Sequence, residues 1–302
     1  MPNHFLTDRT ALEIDQQVEK ILADLDNPSP PLDLGEVREL LKLDRRYYSS
    51  TDTSIVQEVI HSLRIGATQV LLKPTRILQA IKQRKLRALW VPERKRILLD
   101  ESLPEIKLRW GEGHEIIHSV IPHHKVLNLG DPEHTLVPSC LEQIEAEANY
   151  GAGRLLFLRN EFKERLLSKP VTFAEIQALA KVFANSKTSA LWRAVETLDV
   201  PAIGLVSIHP WSSPGEDGET VRHFIRSKRF AKQFSSITDA ALFKCIAKVV
   251  RRTGGGPLGS KEVELLDVDG DTHVFCFECF SNTHDTLTLG LHVRKKPALV
   301  AV

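Results

Sequence analysis

Two histidines and a glutamate form the most chemically suggestive pattern in the chain, His114-Glu115-Ile116-Ile117-His118. Positions i and i+4 of a helix project from the same face about one turn apart, so both imidazoles can reach one zinc ion. Glu115 would then lie over the open side of the metal, where its carboxylate can accept a proton from a water molecule. This spacing indicates metal-dependent hydrolysis. The alternative explanation is a partly exposed helix with two ordinary histidines.

A catalytic zinc also needs a third protein ligand and one open position. The next predicted helix, at about 141–158, offers Glu142, Glu145 and Glu147. Its apolar residues mark the inward face, and Glu145 lies at the edge of that face. Glu147 projects away from it, which favours a solvated side chain. Helical phase therefore selects Glu145, whose alternative role is a surface carboxylate or an ion pair with a nearby arginine.

Two segments, Arg109–His118 and Glu145–Leu156, resemble the ImmA/IrrE family of zinc metallopeptidases. That family has an Arg-aromatic pair before His-Glu-x-x-His, followed on the next helix by Glu-x-x-Ala-Asn-x-Phe-Ala-x-x-Leu-Leu. The family's third zinc ligand is the Glu four positions before that Asn, which corresponds to Glu145. Gly151 replaces the aromatic residue of the pattern, and Glu112 stands where a small or apolar residue is common. These departures bear on substrate fit more than on metal binding.

The resemblance implies a zinc-dependent endopeptidase in which His114, His118 and Glu145 hold Zn²⁺ and Glu115 is the catalytic base. It also implies a protein substrate, a helix-turn-helix transcriptional repressor, whose cleavage relieves repression during stress. The competing hypothesis is a DNA-binding transcriptional regulator with a structural or vestigial metal site. That alternative rests on a predicted helix-turn-helix and a basic segment, 221–252. A third hypothesis, an interaction protein such as an antitoxin, predicts no metal.

Two pairs of residues carry weaker signals. His123 and His124 follow the helix that contains His114 and His118. They either line the substrate cleft, where one would stabilise an oxyanion, or lie in a solvated loop. Cys276 and Cys279 have the Cys-x-x-Cys spacing of a metal or redox site. They fall on an alternating strand, however, so we expect their thiols on opposite faces as small core residues.

The elements that would position these residues predict an α+β chain with three parts. Residues 1–160 would form a mainly helical, zincin-like domain with a short β element, interrupted by an insertion at 49–88. Residues 161–198 would form the helix-turn-helix. Residues 199–302 would form an α+β domain with a strand order like that of GAF or PAS sheets. We expect this last domain to sense a signal or dock the substrate, and to contribute nothing to the metal site.

Composition narrows the classes of partner. The 302 residues include 40 Lys and Arg against 39 Asp and Glu, a net charge of +1, so no overall field attracts nucleic acid or a membrane. Apolar runs fall far short of the about 20 residues of a spanning helix, and four cysteines give no disulfide framework. We therefore expect a cytoplasmic protein without a membrane partner. Nucleic-acid binding would need a local patch.

Overall fold

The fold is given by a computed structural model that describes residues 3–49, 88–124, 138–213, 218–251 and 255–297. Contacts within it divide the chain into two compact units. The helical unit comprises Leu6–Glu161 and Val182–Asn185, and the sheet unit comprises Met1–Phe5, Phe162–Lys181 and Ser186–Val302. Both units contain helices and strands, so the chain is α+β as expected. The predicted insertion at 49–88 lies outside the described residues except at its two ends.

The helical unit holds four helices and a small sheet in its described part. These elements are α1 (Asp8–Asp24), α2 (Leu34–Leu41), β1 (Asp44–Tyr48), β2 (Ala88–Val91), β3 (Arg96–Asp100), α3 (Glu105–Val120) and α4 (Pro138–Leu156). The strand order is β1-β3-β2, with β1 parallel and β2 antiparallel to β3. The side chains of Thr7 and Asp33 accept backbone N–H groups at the starts of α1 and α2, which satisfies donors that those helices cannot pair internally.

Helices α3 and α4 pack against each other through glycines. A Cβ atom added to Gly151 of α4 would lie 2.6 Å from Cγ2 of Ile117, and one on Gly113 of α3 would lie 3.0 Å from Cδ1 of Leu156. Both positions therefore need glycine for the helices to approach this closely. Helix α3 ends just before Pro122, whose ring removes a donor and prevents the helix from continuing. This crossing brings the two predicted ligand-bearing helices together.

The sheet unit is built on a five-stranded antiparallel sheet. The elements from the end of α4 onward are α5 (Asn160–Leu167), α6 (Phe173–Val182), α7 (Lys187–Thr197), β4 (Ala202–Ser207), β5 (Val221–Arg226), α8 (Lys228–Gln233), α9 (Asp239–Ile246), β6 (Gly256–Leu266), β7 (Thr272–Ser281) and β8 (Thr286–Lys295). The strand order is β5-β4-β8-β7-β6, and helix α7 packs against β4, β5 and β8. Phe230, Phe234 and Phe275 lie in the core of this unit, with the rings of Phe230 and Phe234 stacked at 4.9 Å between centroids.

The structure adds strand β1 and helices α5 and α8 to the sequence-based assignment, and it lengthens β6. Strand β1 (Asp44–Tyr48) carries exposed polar residues and lies at a sheet edge, so it shows no apolar alternation. Strand β6 begins at Gly256, although the sequence pattern predicts a strand only from Val263 onward. Gly256, Pro257 and Gly259 have low strand propensity, and pairing with β7 across a bulge holds them in the sheet. Among the described residues, no helix has both the length and the apolar character needed to cross a membrane.

Candidate metal centre

Three side chains from α3 and α4 converge on one point, and they are the predicted ligands. The Nε2 atoms of His114 and His118 lie 3.0 Å apart. Glu145 places Oε2 3.2 Å from Nε2 of His114 and Oε1 3.7 Å from Nε2 of His118. A tetrahedral zinc with bonds of about 2.0–2.2 Å separates its ligand atoms by about 3.3–3.6 Å. The residues therefore fit a single zinc ion with little rearrangement.

Asn149 supports this cluster from one turn along α4. Its Oδ1 atom lies 3.1 Å from Nδ1 of His114, so the amide oxygen accepts the Nδ1 proton and leaves Nε2 facing the other ligands. A hydrogen bond of this kind fixes the ring orientation and tautomer of a metal-binding histidine. Asn149 belongs to the family pattern, but the sequence pattern alone gives it no role. Its position four residues after Glu145 places both side chains on the same face of α4, and this spacing could have indicated a role at the metal site.

The candidate centre is buried on one side and open on the other. The side chains of His114 and His118 are 14% and 7% exposed, whereas that of Glu145 is 60% exposed. Glu115 lies in the buried part, and the backbone N–H of Trp90 on β2 donates to its carboxylate. Strand β2 therefore positions the predicted base, while the exposed side of Glu145 gives access from solvent.

Burial sets the protonation states of the metal-free cluster. Desolvation raises the pKa of Glu115 to about 7, against the opposing effects of the His114 charge and the Trp90 backbone hydrogen bond. Desolvation also lowers the pKa of His118 to about 3, so its ring is neutral, as a metal ligand must be. The hydrogen bond from His114 lowers the pKa of Glu145 and keeps that carboxylate ionised.

His114 behaves differently from His118. Burial acts to lower its pKa, but the hydrogen bond to Glu145 and the charges of Glu115 and Glu145 outweigh burial and raise the pKa. In the metal-free protein, the Glu145 carboxylate therefore favours a proton on Nε2 of His114 more than water does. A metal ion competes with a proton for this nitrogen, so metal affinity should depend on pH.

The structure corrects the prediction that Glu147 is solvated. Its side chain is 2% exposed, and its Oε2 atom accepts hydrogen bonds from Nε2 of His123 at 2.7 Å and Nε2 of His124 at 3.0 Å. Gln143 donates to the other oxygen at 3.0 Å. The prediction from helical phase failed here because it used only the apolar residues of α4, whereas the donors come from the segment that follows α3. His124 is buried rather than in a solvated loop, and His123 is half-exposed.

Glu112, a departure from the family pattern, is also buried and paired. Its carboxylate forms ion pairs with Arg38 at 2.6 Å and with Arg45 at 2.9 Å. Arg38 belongs to α2 and Arg45 to β1, so Glu112 connects both elements to α3, the helix that carries His114 and His118. Two guanidinium groups compensate for the cost of burying one carboxylate. The role of Glu112 is therefore structural.

The polar residues of the predicted recognition helix, α7, are engaged inside the sheet unit. Arg193 is buried, and the ammonium group of Lys187 lies 4.4 Å from the ring centroid of Phe280. Ser189 pairs with Ser186 at the helix start. These side chains are not presented as a DNA-reading helix would present them.

The thiols of Cys276 and Cys279 have different surroundings, as their strand spacing predicts, but only Cys279 is a buried core residue, whereas Cys276 is half-buried. The Sγ atom of Cys276 lies 3.5 Å from Oγ of Ser260, and that of Cys279 lies 3.4 Å from Oγ1 of Thr288. Burial raises the pKa of the Cys279 thiol to about 11. The pair therefore forms no joint metal or redox site.

Comparisons with known proteins give a likeness in fold. No protein-family model matches the chain, and no curated protein matches it. A solved structure described as a Mycobacterium tuberculosis transcriptional regulator is similar, with a TM-score of 0.53 and 11% sequence identity. The match covers 95% of this chain and 90% of that protein. At this identity the likeness shows that the two chains share a fold.

Proposed function

We propose that the chain is a zinc-dependent endopeptidase whose metal is held by His114, His118 and Glu145. The observation that carries this proposal is the convergence of the three donor atoms at separations of 3.0, 3.2 and 3.7 Å. Glu115 follows His114 directly on α3. The set has three protein donors, as catalytic zinc sites do. In this account the helical unit is a zincin-like peptidase domain.

The residues on α3 and β2 would divide the chemistry between them. A zinc ion held by His114, His118 and Glu145 would polarise the carbonyl of the peptide bond and lower the pKa of a water molecule, so that the water becomes a nucleophile near neutral pH. Glu115 accepts the proton of the attacking water and delivers it to the amine of the departing peptide. The backbone N–H of Trp90 holds the Glu115 carboxylate in position, and Asn149 orients the His114 ring.

The substrate class follows from the resemblance to ImmA/IrrE peptidases. We infer a protein substrate, a helix-turn-helix transcriptional repressor, cleaved in the cytoplasm so that gene expression changes under stress. The name of the structural neighbour, a transcriptional regulator, supports a role in transcription. We infer that the antiparallel sheet of the sheet unit is GAF- or PAS-like, and that this unit senses the signal or docks the substrate.

The second candidate function is a DNA-binding transcriptional regulator with a structural or vestigial metal site, and the name of the same neighbour favours it. In this chain α7 has little to offer DNA, because its polar side chains are engaged elsewhere. Binding would have to use the exposed basic side chains of the segment 221–251. These are Arg222, Lys228, Arg229, Lys232, Lys244, Lys248 and Arg251.

A cleavage assay distinguishes the two candidates. Zinc-loaded full-length protein is incubated with a proteome-derived peptide library and with the helix-turn-helix repressor encoded nearest to its gene, and products are identified by mass spectrometry. We expect cleavage by the wild type and a loss of about 10²–10⁴-fold in Glu115→Gln, because Gln keeps the shape of the side chain but removes the base. Equal zinc content in the two proteins is the control.

Two results would contradict the peptidase. Cleavage by Glu115→Gln at the wild-type rate would remove Glu115 from the mechanism. Absence of cleavage, together with salt-dependent binding to duplex DNA in a gel-shift assay, would favour the regulator instead.

A further inference from the structure

A second group of metal-type donors, from the segment just after α3 and from α4, lies apart from the proposed zinc ligands. His123 and His124 both direct Nε2 at Oε2 of Glu147, at 2.7 and 3.0 Å. The three donor atoms lie within 4.8 Å of one another. Two imidazole nitrogens and one carboxylate oxygen are the same donor set as that of the first cluster.

The burial of Glu147 indicates that a positive charge belongs in this group. The side chains of Glu147 and His124 are 2% and 0% exposed. An ionised carboxylate removed so fully from water is costly unless a cation compensates its charge. Gln143 satisfies one oxygen, at 3.0 Å, with a neutral amide. The other oxygen faces two imidazoles, and their Nε2 atoms are close enough to bind the same cation as this oxygen.

We propose that His123, His124 and Glu147 bind a second divalent metal ion. Two nitrogen donors with one carboxylate suit zinc or a similar ion such as Co²⁺ or Ni²⁺, whereas Mg²⁺ and Ca²⁺ favour oxygen donors throughout. His123 is 52% exposed and borders a cleft of about 220 Å³ between α1 and the end of α3. The ion reaches its ligands through this side.

The two groups adjoin without sharing ligands. The rings of His118 and His124 lie 4.9 Å apart between centroids, and each donor among the described residues belongs to one group only. An ion held by Glu147 would link the end of α3 to α4 two residues from Glu145. It would therefore hold the helix that supplies the third ligand of the first centre. This role does not depend on whether the first centre is catalytic.

Metal stoichiometry of the full-length protein tests the second site. The protein is stripped with a chelator, titrated with Zn²⁺ by calorimetry, passed over a desalting column and assayed for zinc by elemental analysis. We expect two equivalents in the wild type and one in His123→Ala, a variant whose half-exposed side chain can be removed without opening the core. His284→Ala, an exposed histidine in the sheet unit, is the matched control and should keep two.

The other results are equally informative. One equivalent in both the wild type and His123→Ala, or two in both, would overturn the second site. One in the wild type and none in His123→Ala would keep the second site but refute the first centre and with it the proposed function.

Glu145→Gln should lose only the zinc equivalent bound at the first centre. Glu147→Gln, which keeps the hydrogen-bonding shape, should also bind one equivalent, and it decides the question if circular dichroism shows His123→Ala to be unfolded.

Discussion

At the scale of single residues, the proposed centre depends on side chains that orient the ligands as well as on the ligands themselves. The hydrogen bond of 3.1 Å between Asn149 and Nδ1 of His114 is the clearest case. We expect Asn149→Ala to weaken zinc binding about 10–100-fold, the usual effect of losing such a partner. Competition with a chromophoric chelator measures this. Glu142→Gln, an exposed change on the same helix, should have no effect, and equal affinities in the two variants would exclude the orienting role.

The raised pKa of Glu115 predicts a pH-dependent stability in the metal-free protein. In the unfolded chain this carboxyl ionises near 4.5, and in the fold near 7, so the native state holds its proton longer. The free energy of unfolding should therefore fall between about pH 4.5 and 7, by about 3 kcal/mol for this group.

Glu115→Gln removes that dependence. With a chelator present, the free energy of unfolding of the variant minus that of the wild type should increase as the pH rises from 5 to 8. At pH 4 this difference should be small. Urea unfolding at each pH measures the difference. A difference that stays constant across this range would show that burial does not hold the proton on Glu115.

The two clusters show what the sequence could and could not predict about single residues. The convergence of His114, His118 and Glu145 was predictable, because i and i+4 spacing is local and the family pattern names the third position. The burial of Glu147 was not, because its donors, His123 and His124, belong to a different element. An apolar periodicity cannot show a polar partner that arrives from another part of the chain.

At the scale of elements, the crossing of α3 and α4 sets the geometry of the site, and Gly151 allows that crossing. A methyl group there would meet Ile117 at 2.6 Å. We expect Gly151→Ala to cost about 1–3 kcal/mol of stability through overpacking, and to weaken zinc binding by moving Glu145. Urea unfolding and zinc titration measure the two effects.

Gly153, on the same helix, provides the control for Gly151. A Cβ atom at this position meets nothing within 4 Å. Gly153→Ala should therefore leave zinc binding unchanged and stabilise α4 by up to about 1 kcal/mol, since alanine favours a helix more than glycine does. If both variants behaved alike, the close approach at Ile117 would not control the crossing.

Elements with regular apolar patterns were also the predictable ones. Helix α4 lies within a few residues of its predicted range, 141–158, and the mainly apolar runs 89–91 and 96–99 predict β2 and β3, since each of these elements buries a continuous face. Strand β1 and helices α5 (Asn160–Leu167) and α8 (Lys228–Gln233) were missed. Helix α8 has only six residues, half of them charged, and only Phe230 on it is buried, so its sequence has no helical periodicity.

At the scale of the whole molecule, the proposed donors all belong to the helical unit, and the sheet unit has an aromatic core of its own. Phe275 is fully buried there against Phe230 and Phe234. We expect Phe275→Ala to destabilise the sheet unit by about 3–5 kcal/mol and to leave zinc affinity unchanged. Calorimetric unfolding and zinc titration at a temperature where the variant is folded test both parts.

Val293→Ala serves as the comparison, because this apolar side chain of β8 is 46% exposed and should matter little. A loss of zinc affinity in folded Phe275→Ala, but not in Val293→Ala, would contradict the assignment of the whole metal centre to the helical unit.

The structure of the zinc-loaded protein, with metal positions located by anomalous scattering, would show whether this centre is built for catalysis. We predict an ion bound by His114, His118 and Glu145, with solvent in its fourth position and Glu115 beside that position. A fourth protein side chain closing the site, or no metal at these three residues, would contradict the peptidase.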